Sequence, residues 1–533
     1  MQMSWPVLLP PLITLTLAVA SQRIIPALLS GIITACFLVT NFNPLATLTK
    51  TITSIWETSQ IGNIPYYDRP HETILLFAFL TMLSIAISLI SHSGGAHAFG
   101  ALLTKHLNSK KDVEKASIFL SLGLFVDDYL SNLTVGNVMR PIASKFNVAR
   151  VKLAYLVNSL AAPLVLINPV SSWVVPLVAQ LDAAGINLEP GAQIYASPFT
   201  VYINVIPYIF YSFVLFASVL FVVNKNISFG LMKEHEDRAK KDGNLCGGKP
   251  ELRTKSELGH IKKESVLDFA LPMITLIGGA LVGILYTGNF YLFGGTRSFG
   301  AAFQNGNIPQ SLFIASIVSV LVLCASIIIR KTISIKNMSA AMREGFTSIM
   351  PSLTMLCLAW TLSGLLANDL KTGNYIASLL VGAMNMTFLL PLFFVVSLLI
   401  TIAVGSSWGA MSLMTALAIP MVLSFMQAPE GSLLDQVMLI IPVIGSIFSG
   451  AIAGNTIAPI ADATIMASNS TGTYHMDHVK TQFTYSIPPL IGTFCGYLIL
   501  GILKTTSFTH CMIGLSSGIL ISFIVLMILN TRR

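Results

Sequence analysis

The sequence predicts an all-α polytopic membrane protein with about 11–13 transmembrane helices, in two repeat halves that contain broken helices or re-entrant hairpins. Three observations support this fold class: 54% of the 533 residues are hydrophobic, only 10% are charged, and the mean hydropathy is +0.76. A soluble core cannot bury this much apolar surface. Apolar runs of about 20 residues, enough to cross a hydrocarbon layer of about 30 Å, begin near residues 4, 24, 73, 151, 199, 267, 309, 345, 388, 437, 481 and 509.

The first apolar run, 4–20, has no basic segment before it and no obvious cleavage site, and a second apolar run follows it closely. These features are untypical of a removable signal peptide. We therefore expect a retained helix, and we assign residues 1–72 to an N-terminal helical pair followed by an external loop.

Lysine and arginine are concentrated in a few loops between the apolar runs. These basic stretches are 105–115, 140–152, 225–263 and 330–343. By the positive-inside rule, basic loops lie in the cytoplasm. The net charge of +8 is therefore a signal of topology, and we expect no nucleic acid as a partner.

The longest basic loop, 225–264, alternates Lys, Glu and Gly and has no long apolar face. This composition is typical of a flexible linker, so we interpret the loop as a cytoplasmic linker between two halves. The other segments are assigned as 73–224, a first transport repeat; 265–344, connecting helices; 345–503, a second transport repeat; and 504–533, a C-terminal helix.

Two adjacent carboxylates, Asp127 and Asp128, lie in an apolar stretch between two basic loops. Ionisable side chains at membrane depth are costly and usually mark an ion pathway or a proton relay. A simple crossing would place one of the basic loops outside, whereas a re-entrant hairpin with arms 115–127 and 131–144 returns both loops to the cytoplasm. Each arm of about 13 residues would reach about 20 Å into the membrane. Asp127, Asp128 and Asn132 would then lie at the tip.

Residues 136–143, Gly-Asn-Val-Met-Arg-Pro-Ile-Ala, recur as residues 454–461, Gly-Asn-Thr-Ile-Ala-Pro-Ile-Ala. Secondary transporters are commonly built from repeats that meet near mid-membrane, so we interpret this echo as a sign of two related halves. The second copy has few basic neighbours, which favours an inverted orientation. The terminal Arg532 and Arg533 favour the opposite, so the orientation of the second half stays open.

Four polar clusters interrupt the apolar runs, each beside a Gly or Pro that ends or kinks a helix and frees backbone oxygens. Such oxygen-rich gaps suit a hard monovalent cation better than a transition metal. The candidate ion- or substrate-binding residues are Asp127, Asp128, Asn132, Asn137, Ser171, Ser172, Ser406, Ser407, Asn455, Asp462 and Thr464. Among them, the carboxylates Asp127, Asp128 and Asp462 are the candidate Na⁺ ligands.

Each candidate also has a structural alternative. A Ser or Thr in a membrane helix can simply bond to the carbonyl four residues earlier, and Asp462 could pair with Arg140 or Lys145 across the repeat interface. Neighbouring positions on a helix lie about 100° apart. We therefore expect only one of Asp127 and Asp128 to face the cavity and coordinate a cation, while the other is paired or hydrogen-bonded.

Two tryptophans, Trp173 and Trp408, each follow a Ser-Ser pair. Membrane tryptophans commonly anchor a helix at the lipid interface. Because their neighbours are polar, a role in a cavity wall or a gate is favoured as much as interfacial anchoring.

At these residues the sequence resembles the NhaC-type Na⁺/H⁺ antiporter family. The resemblance covers roughly 73–180 and 345–500 and rests on several blocks in a fixed order. The blocks are Phe125–Tyr129, Val135–Pro141, Lys152–Tyr155, Ala161–Pro163, Ser171–Trp173, Gly405–Gly409, Pro459–Thr464 and Asp477–Gln482. The resemblance implies a secondary antiporter that exchanges Na⁺ for H⁺, in a family with relatives that exchange malate for lactate.

The sequence also departs from the pattern of that family. Asn158 and Asn455 stand where acids are expected, and Ala458, Ala461 and Ala463 replace hydroxyl residues. These departures remove two carboxylates. They favour a site with less charge, a different coupling ratio or an organic substrate.

The expected function is that of a secondary active antiporter in the cell inner membrane that exchanges Na⁺ or Li⁺ for H⁺. Competition between Na⁺ and H⁺ for one carboxylate is the simplest mechanism of such exchange. No cofactor is expected, because Na⁺ and H⁺ are the transported ions. The expected partners are the lipid bilayer, small cations and protons, and assembly as a homodimer is open.

Three alternatives remain. The first is an exchanger of small organic anions or amino acids coupled to Na⁺ or H⁺, and the second is a channel. The third is an intramembrane aspartyl enzyme, for which Asp128 and Asp462 would be the only plausible pair, although we expect no enzyme. The sequence contains no G-x-x-x-x-G-K-[ST] loop, so pumping driven by ATP is not expected.

Overall fold

In a computed structural model, the chain folds almost entirely into helices. The structure describes residues 5–21, 23–59, 72–95, 98–99, 102, 107–169, 171–251, 264–304, 306–380, 386–503 and 507–531. Within these residues, nine helices are long and apolar enough to cross a membrane, and four shorter apolar helices accompany them. The predicted all-α polytopic fold class is confirmed. Some predicted spans are short because they belong to hairpins and broken helices.

The elements follow one another with short connections. The helices before the central loop are α1 (Leu9–Ser21), α2 (Ile24–Val39), α3 (Pro44–Ser59), α4 (Glu72–His92), α5 (Lys110–Gly123), α6 (Asp128–Lys145), α7 (Arg150–Leu166), α8 (Val174–Ala183), α9 (Pro198–Val205) and α10 (Phe210–Lys225). The later helices are α11 (Gly230–Lys241), α12 (Leu267–Thr287), α13 (Phe299–Gln304), α14 (Ile308–Arg330), α15 (Ile335–Gly364), α16 (Thr372–Leu380), α17 (Leu389–Val404), α18 (Ser407–Phe425), α19 (Ile440–Ile457), α20 (Asp462–Thr471), α21 (His475–Leu503) and α22 (Phe508–Thr531). The strands are β1 (Ile186–Asn187), β2 (Ile194–Tyr195) and β3 (Ser432–Leu433).

Helices α5 and α6 form the first hairpin, and both of its outer ends lie at the same side of the molecule. The Lys111 Nζ donates to the Asn224 carbonyl at 2.8 Å, next to the end of α10. At the other arm, α7 begins directly after α6, and its Lys152 Nζ donates to the Ile227 carbonyl at 3.4 Å, again next to the end of α10. We call this side, with the ends of α5, α6 and α10 and the start of α7, the basic face. The re-entrant hairpin predicted from the basic loops is confirmed.

The arms of the first hairpin are longer than predicted. They run over Lys110–Gly123 and Asp128–Lys145 rather than 115–127 and 131–144. Both helices begin earlier because capping residues satisfy their first amides: the Ser109 side chain accepts from Asp112 N, and the Asp127 side chain accepts from Leu130 N. Asn132 therefore lies one turn inside α6 and not at the tip.

The central loop is more ordered than the predicted flexible linker. It contains α11, whose Glu236 bonds to Lys110 of the first hairpin at 2.6 Å. Beyond α11, Lys249 pairs with Asp477 of α21 at 2.7 Å. The expectation of a flexible segment is wrong for 225–251, because ion pairs to two membrane helices hold this part of the loop. Residues 252–263 lie outside the described residues.

The second half has its own hairpin in the opposite orientation. Helices α17 and α18 form the second hairpin, with Gly405 and Ser406 at its tip. Its first arm starts beside the far end of α21, where a Cβ on Gly501 would lie 2.2 Å from the Thr387 carbonyl. Because α21 begins at the basic face, the second hairpin enters from the opposite face. The inverted orientation, left open by the sequence, is the one in the structure.

A broken helix follows each hairpin. The first broken helix consists of α7 and α8, and the second consists of α19 and α20. A small parallel sheet on the opposite face joins the two halves, because β2 pairs with β1 of the first half and with β3 of the second. Each half thus has the same order of a hairpin followed by a broken helix, as inverted repeats require.

The eight-residue echo does not occupy equivalent places in the two halves. Residues 136–143 lie inside the continuous helix α6, whereas residues 454–461 include the end of α19 and the break that follows it. In the structural repeat, the break at Asp127 in the first hairpin instead corresponds to the break at Ser406 in the second hairpin.

Close packing between α17 and α19 depends on small residues. Gly450 and Gly454 form a G-x-x-x-G pattern on α19, and a Cβ at Gly450 would lie 2.2 Å from the Phe394 carbonyl oxygen. The Ser397 hydroxyl donates to the Ile447 carbonyl at 2.8 Å across the same interface. Such small-residue contacts allow backbones to approach closely in membranes.

We predict that Gly450→Ala destabilises the protein by about 1–3 kcal/mol, because the added methyl group meets backbone that cannot simply rotate away. Thermal unfolding of the purified protein in detergent measures the effect. Gly278→Ala is the matched control, since a Cβ on Gly278 has nothing within 4 Å. Equal unfolding temperatures for the two variants would contradict the close approach of α17 and α19.

Candidate ion- and substrate-binding site

The tips of both hairpins and the breaks of both broken helices surround one cavity of about 380 Å³. Four helices, α6, α8, α18 and α20, begin at these breaks, and four others end there. The lining residues at the breaks are Asp127, Asp128, Tyr129, Ser172, Trp173, Ser406, Ser407, Trp408, Asn455 and Asp462. The structure therefore brings seven of the eleven predicted site residues, and both tryptophans, to one place.

Asp127 is held by the backbone and by its neighbour. It has extended backbone angles before α6, its Oδ1 accepts from Leu130 N at 2.9 Å, and its Oδ2 accepts from the Ser172 hydroxyl at 2.9 Å. Both oxygens of this carboxylate therefore have donors. Its main role in this arrangement is to cap α6 and to join the first hairpin to the first broken helix.

Asp128 is the first residue of α6 and is held differently. Its Oδ1 accepts from the Trp173 indole Nε1 at 3.1 Å. The Trp173 ring in turn packs against the Trp408 ring of the second hairpin, with centroids 4.5 Å apart. The two tryptophans thus form a cavity wall next to Asp128, which decides between the roles that the sequence left open.

Asp127 and Asp128 both line the cavity, which contradicts the expectation that only one of them could. The expectation assumed that both residues lie on one helix. Asp127 lies outside the helix as its N-cap, so the angle of about 100° between helical neighbours does not apply. The expected division of tasks between them is still present in their hydrogen bonds.

Asp462 is the first residue of α20 and faces the same cavity, where its side chain is exposed. Its Oδ2 accepts a hydrogen bond from the Tyr129 hydroxyl, which crosses from the first half to the second. Its Oδ1 accepts from Ala463 N at 2.8 Å. In place of the ion pair with Arg140 or Lys145 considered above, the hydrogen bond to Tyr129 joins Asp462 to the other half.

The cavity reaches the basic face between α4 and α15. His92, at the end of α4, lies 3.3 Å from Glu344 near the start of α15, and both residues line the outer part of the cavity. Both side chains are exposed. The outer part of the cavity therefore lies toward the side that carries the basic loops.

The other predicted site residues lie away from the cavity lining. Asn132 is fully buried, and neither of its side-chain amide atoms has a hydrogen-bond partner among the described residues. Ser171 is buried with its hydroxyl unpartnered, Thr464 donates to the Asn455 carbonyl at 3.3 Å, and Asn137 is exposed. Asn455 does line the cavity, and its Oδ1 has no partner within the described residues.

Tyr129 and the indole of Trp173 hold the two carboxylates, and sequence reasoning did not predict either contact. A second polar group lies deeper, where the Asn158 amide donates to the Thr456 carbonyl at 2.9 Å and lies 3.2 Å from His478 Nε2. The positions of hydroxyl and amide side chains in the sequence do not show which of them pair in the folded protein. Only the position of Tyr129 directly after Asp127-Asp128 gave a signal.

The charges of the lining are one-sided. It contains four acids, Asp127, Asp128, Asp462 and Glu344, and no Lys or Arg among the residues that the structure describes. The same described residues include no group of three or more His, Cys, Asp or Glu that could hold a metal ion. A Na⁺ ion here would therefore need neutral oxygens as well as carboxylates.

We predict that Asp127→Ala destabilises the protein by about 0.5–2 kcal/mol, because it removes the acceptor that caps α6. Asp127→Asn keeps an acceptor oxygen and should retain most of the stability. Thermal unfolding in detergent compares the two. If Asp127→Asn unfolds as early as Asp127→Ala, the charge of this residue and not its capping would hold the hairpin.

Two solved structures are similar to this chain. One is the YdaH transporter of Alcanivorax borkumensis, described as having an unusual topology, with a TM-score of 0.51 and 16% identity over 86% of this chain and 88% of that one. The other is MtrF of Neisseria gonorrhoeae, described as illuminating a class of antimetabolite efflux pumps, with a TM-score of 0.50 and 14% identity over 90% of this chain and 84% of that one. At these identities the likeness shows a shared fold.

The sequence comparisons are more specific. An uncharacterized protein of Haemophilus influenzae is 26% identical over 532 residues, which cover 99% of this chain and 95% of the relative. The model of the Na⁺/H⁺ antiporter family matches residues 164–502, which include both Ser-Ser-Trp blocks and Asp462 but begin after Asp128. This match covers more than half of the chain, so the protein belongs to the Na⁺/H⁺ antiporter family of membrane transporters, as its motifs predicted.

Proposed function

We propose that this secondary transporter exchanges Na⁺ or Li⁺ for H⁺ across the cytoplasmic membrane, with Asp128 and Asp462 as the residues that bind the two ions in turn. The main support for this exchange is that these two carboxylates come from opposite halves of the chain and line one cavity. Carboxylates at membrane depth are costly and are typical of ion and proton pathways.

In this proposal, Na⁺ and H⁺ are exchanged because they compete for the same carboxylate oxygens. A proton on either carboxylate removes the charge that a Na⁺ ion needs, and a bound Na⁺ ion disfavours the proton. Asp128 has one oxygen bound to Trp173, and Asp462 is bound to Tyr129. Ser407, in the same lining, can contribute a neutral oxygen to the coordination of a dehydrated cation.

The inverted halves supply a means of alternating access. The first hairpin reaches the cavity from the basic face and the second hairpin reaches it from the opposite face. Rigid movement of one half against the other around a fixed central site is the common mechanism of such transporters. With its outer part at His92 and Glu344, the cavity corresponds to the state that faces the cytoplasm.

Two alternatives have less support. A malate or lactate anion would meet four acids and, among the described lining residues, no Lys or Arg. An aspartyl enzyme needs its two carboxylates to share a proton or a water, whereas Asp128 bonds to Trp173 and Asp462 bonds to Tyr129. Each carboxylate therefore has its own partner in the described structure, and neither bond joins the two acids to each other.

We predict that Asp128→Asn and Asp462→Asn each abolish the dissipation of a pH gradient by Na⁺ in everted vesicles from cells without their own antiporters. Wild-type exchange should strengthen as the pH rises, because fewer protons then compete with Na⁺. Asp435→Asn, at an exposed acid outside the cavity, is the matched control and should behave as wild type. No response to Na⁺ or Li⁺ from well-expressed wild-type protein would rule out the proposed exchange.

A further inference from the structure

We infer that the same cavity binds a small organic cation, an ammonium compound seated against Trp408 and close to the carboxylates of Asp128 and Asp462. This extends the proposed Na⁺/H⁺ exchange to a second class of substrate. It depends on different observations, which are the size, charge and aromatic wall of the cavity.

The cavity is larger than a metal cation requires. Its volume is about 380 Å³, whereas one water molecule takes about 30 Å³ in the liquid. A single Na⁺ ion would leave most of this space to water. Pockets that bind small organic molecules begin at about 300 Å³, so the volume suits a compact organic molecule.

The acidic lining of the cavity favours a positively charged molecule. The acids Asp127, Asp128, Asp462 and Glu344 line the cavity, and His92 is the one basic side chain among the described lining residues. The dipoles of the helices that end at the cavity do not change this preference for positive charge. Four helix N-termini and four C-termini meet at the breaks, so their partial charges of about half a unit each largely cancel.

The aromatic wall supplies the apolar part of the binding surface. The Trp173 ring is fixed by its bond to Asp128, and it supports the Trp408 ring at 4.5 Å between centroids. Trp408 is only half-buried and lines the cavity. An ammonium group within about 6 Å of an indole face is attracted by the ring, and here a carboxylate lies beside the same wall.

The experiment measures equilibrium binding of radiolabelled choline to the purified full-length protein in detergent. Choline is compact, carries a permanent charge and has a hydroxyl group. Its neutral isostere 3,3-dimethylbutan-1-ol, in which carbon replaces the charged nitrogen, is the matched competitor, and succinate tests the opposite charge. We expect saturable choline binding, displacement by the isostere at least about tenfold weaker than by unlabelled choline, and no displacement by succinate.

Two variants test the aromatic seat. Trp408→Leu should weaken choline binding by about tenfold, whereas Trp408→Phe, which keeps a ring face, should stay within about threefold of wild type. Thermal unfolding shows whether each variant is folded, and the comparison of choline with its isostere needs only the wild-type protein.

The inference is overturned if wild-type protein shows no saturable choline binding, if the neutral isostere displaces choline equally well, or if folded Trp408→Leu binds choline as wild type does. Binding in detergent needs no ion gradient. A failure of Na⁺/H⁺ exchange in vesicles therefore leaves this result unaffected, and a failure of choline binding leaves the exchange result unaffected.

Discussion

Backbone groups inside a membrane have no water to bind, so a helix can end at mid-membrane only where the protein itself supplies hydrogen-bond partners. Here the helix breaks supply hydrogen-bond partners to one another. Ser172 N donates to the Val126 carbonyl, which joins the first broken helix to the tip of the first hairpin, and the Asn158 amide donates to the Thr456 carbonyl, which joins the two broken helices. This requirement brings four breaks from two halves together, and the cavity is the space that remains between them.

The same requirement divides the acidic residues by task. Asp127 uses both oxygens to satisfy Leu130 N and the Ser172 hydroxyl, so it supports the tip of the hairpin. Asp128 and Asp462 each begin a helix at a break and present the remaining charge to the cavity. Without a Lys or Arg among the described lining residues, that charge favours a cation, whether a metal ion, a proton or an ammonium group.

Several parts of this arrangement were predictable because their cause is local in the chain. The first hairpin followed from two basic loops around a buried acid pair, since the positive-inside rule forbids a simple crossing. Proline was a poorer guide, because Pro141 and Pro163 lie inside helices while Pro459 lies at a break. The echo of 136–143 in 454–461 also failed to mark equivalent positions, since short similar segments do not specify the helices around them.

Local patterns in the sequence were enough to identify a polytopic membrane protein, the positions of its apolar runs, the family it resembles and the acids that interrupt those runs, because hydropathy, charge and motif order are properties of neighbouring residues. Which polar residues meet depends on the folded chain. Tyr129 and Asp462 are 333 positions apart and Trp173 and Trp408 lie on different halves, yet each pair is in contact. Such pairings, and the inverted orientation of the second hairpin, depend on how helices pack against each other, which no local pattern in the chain records.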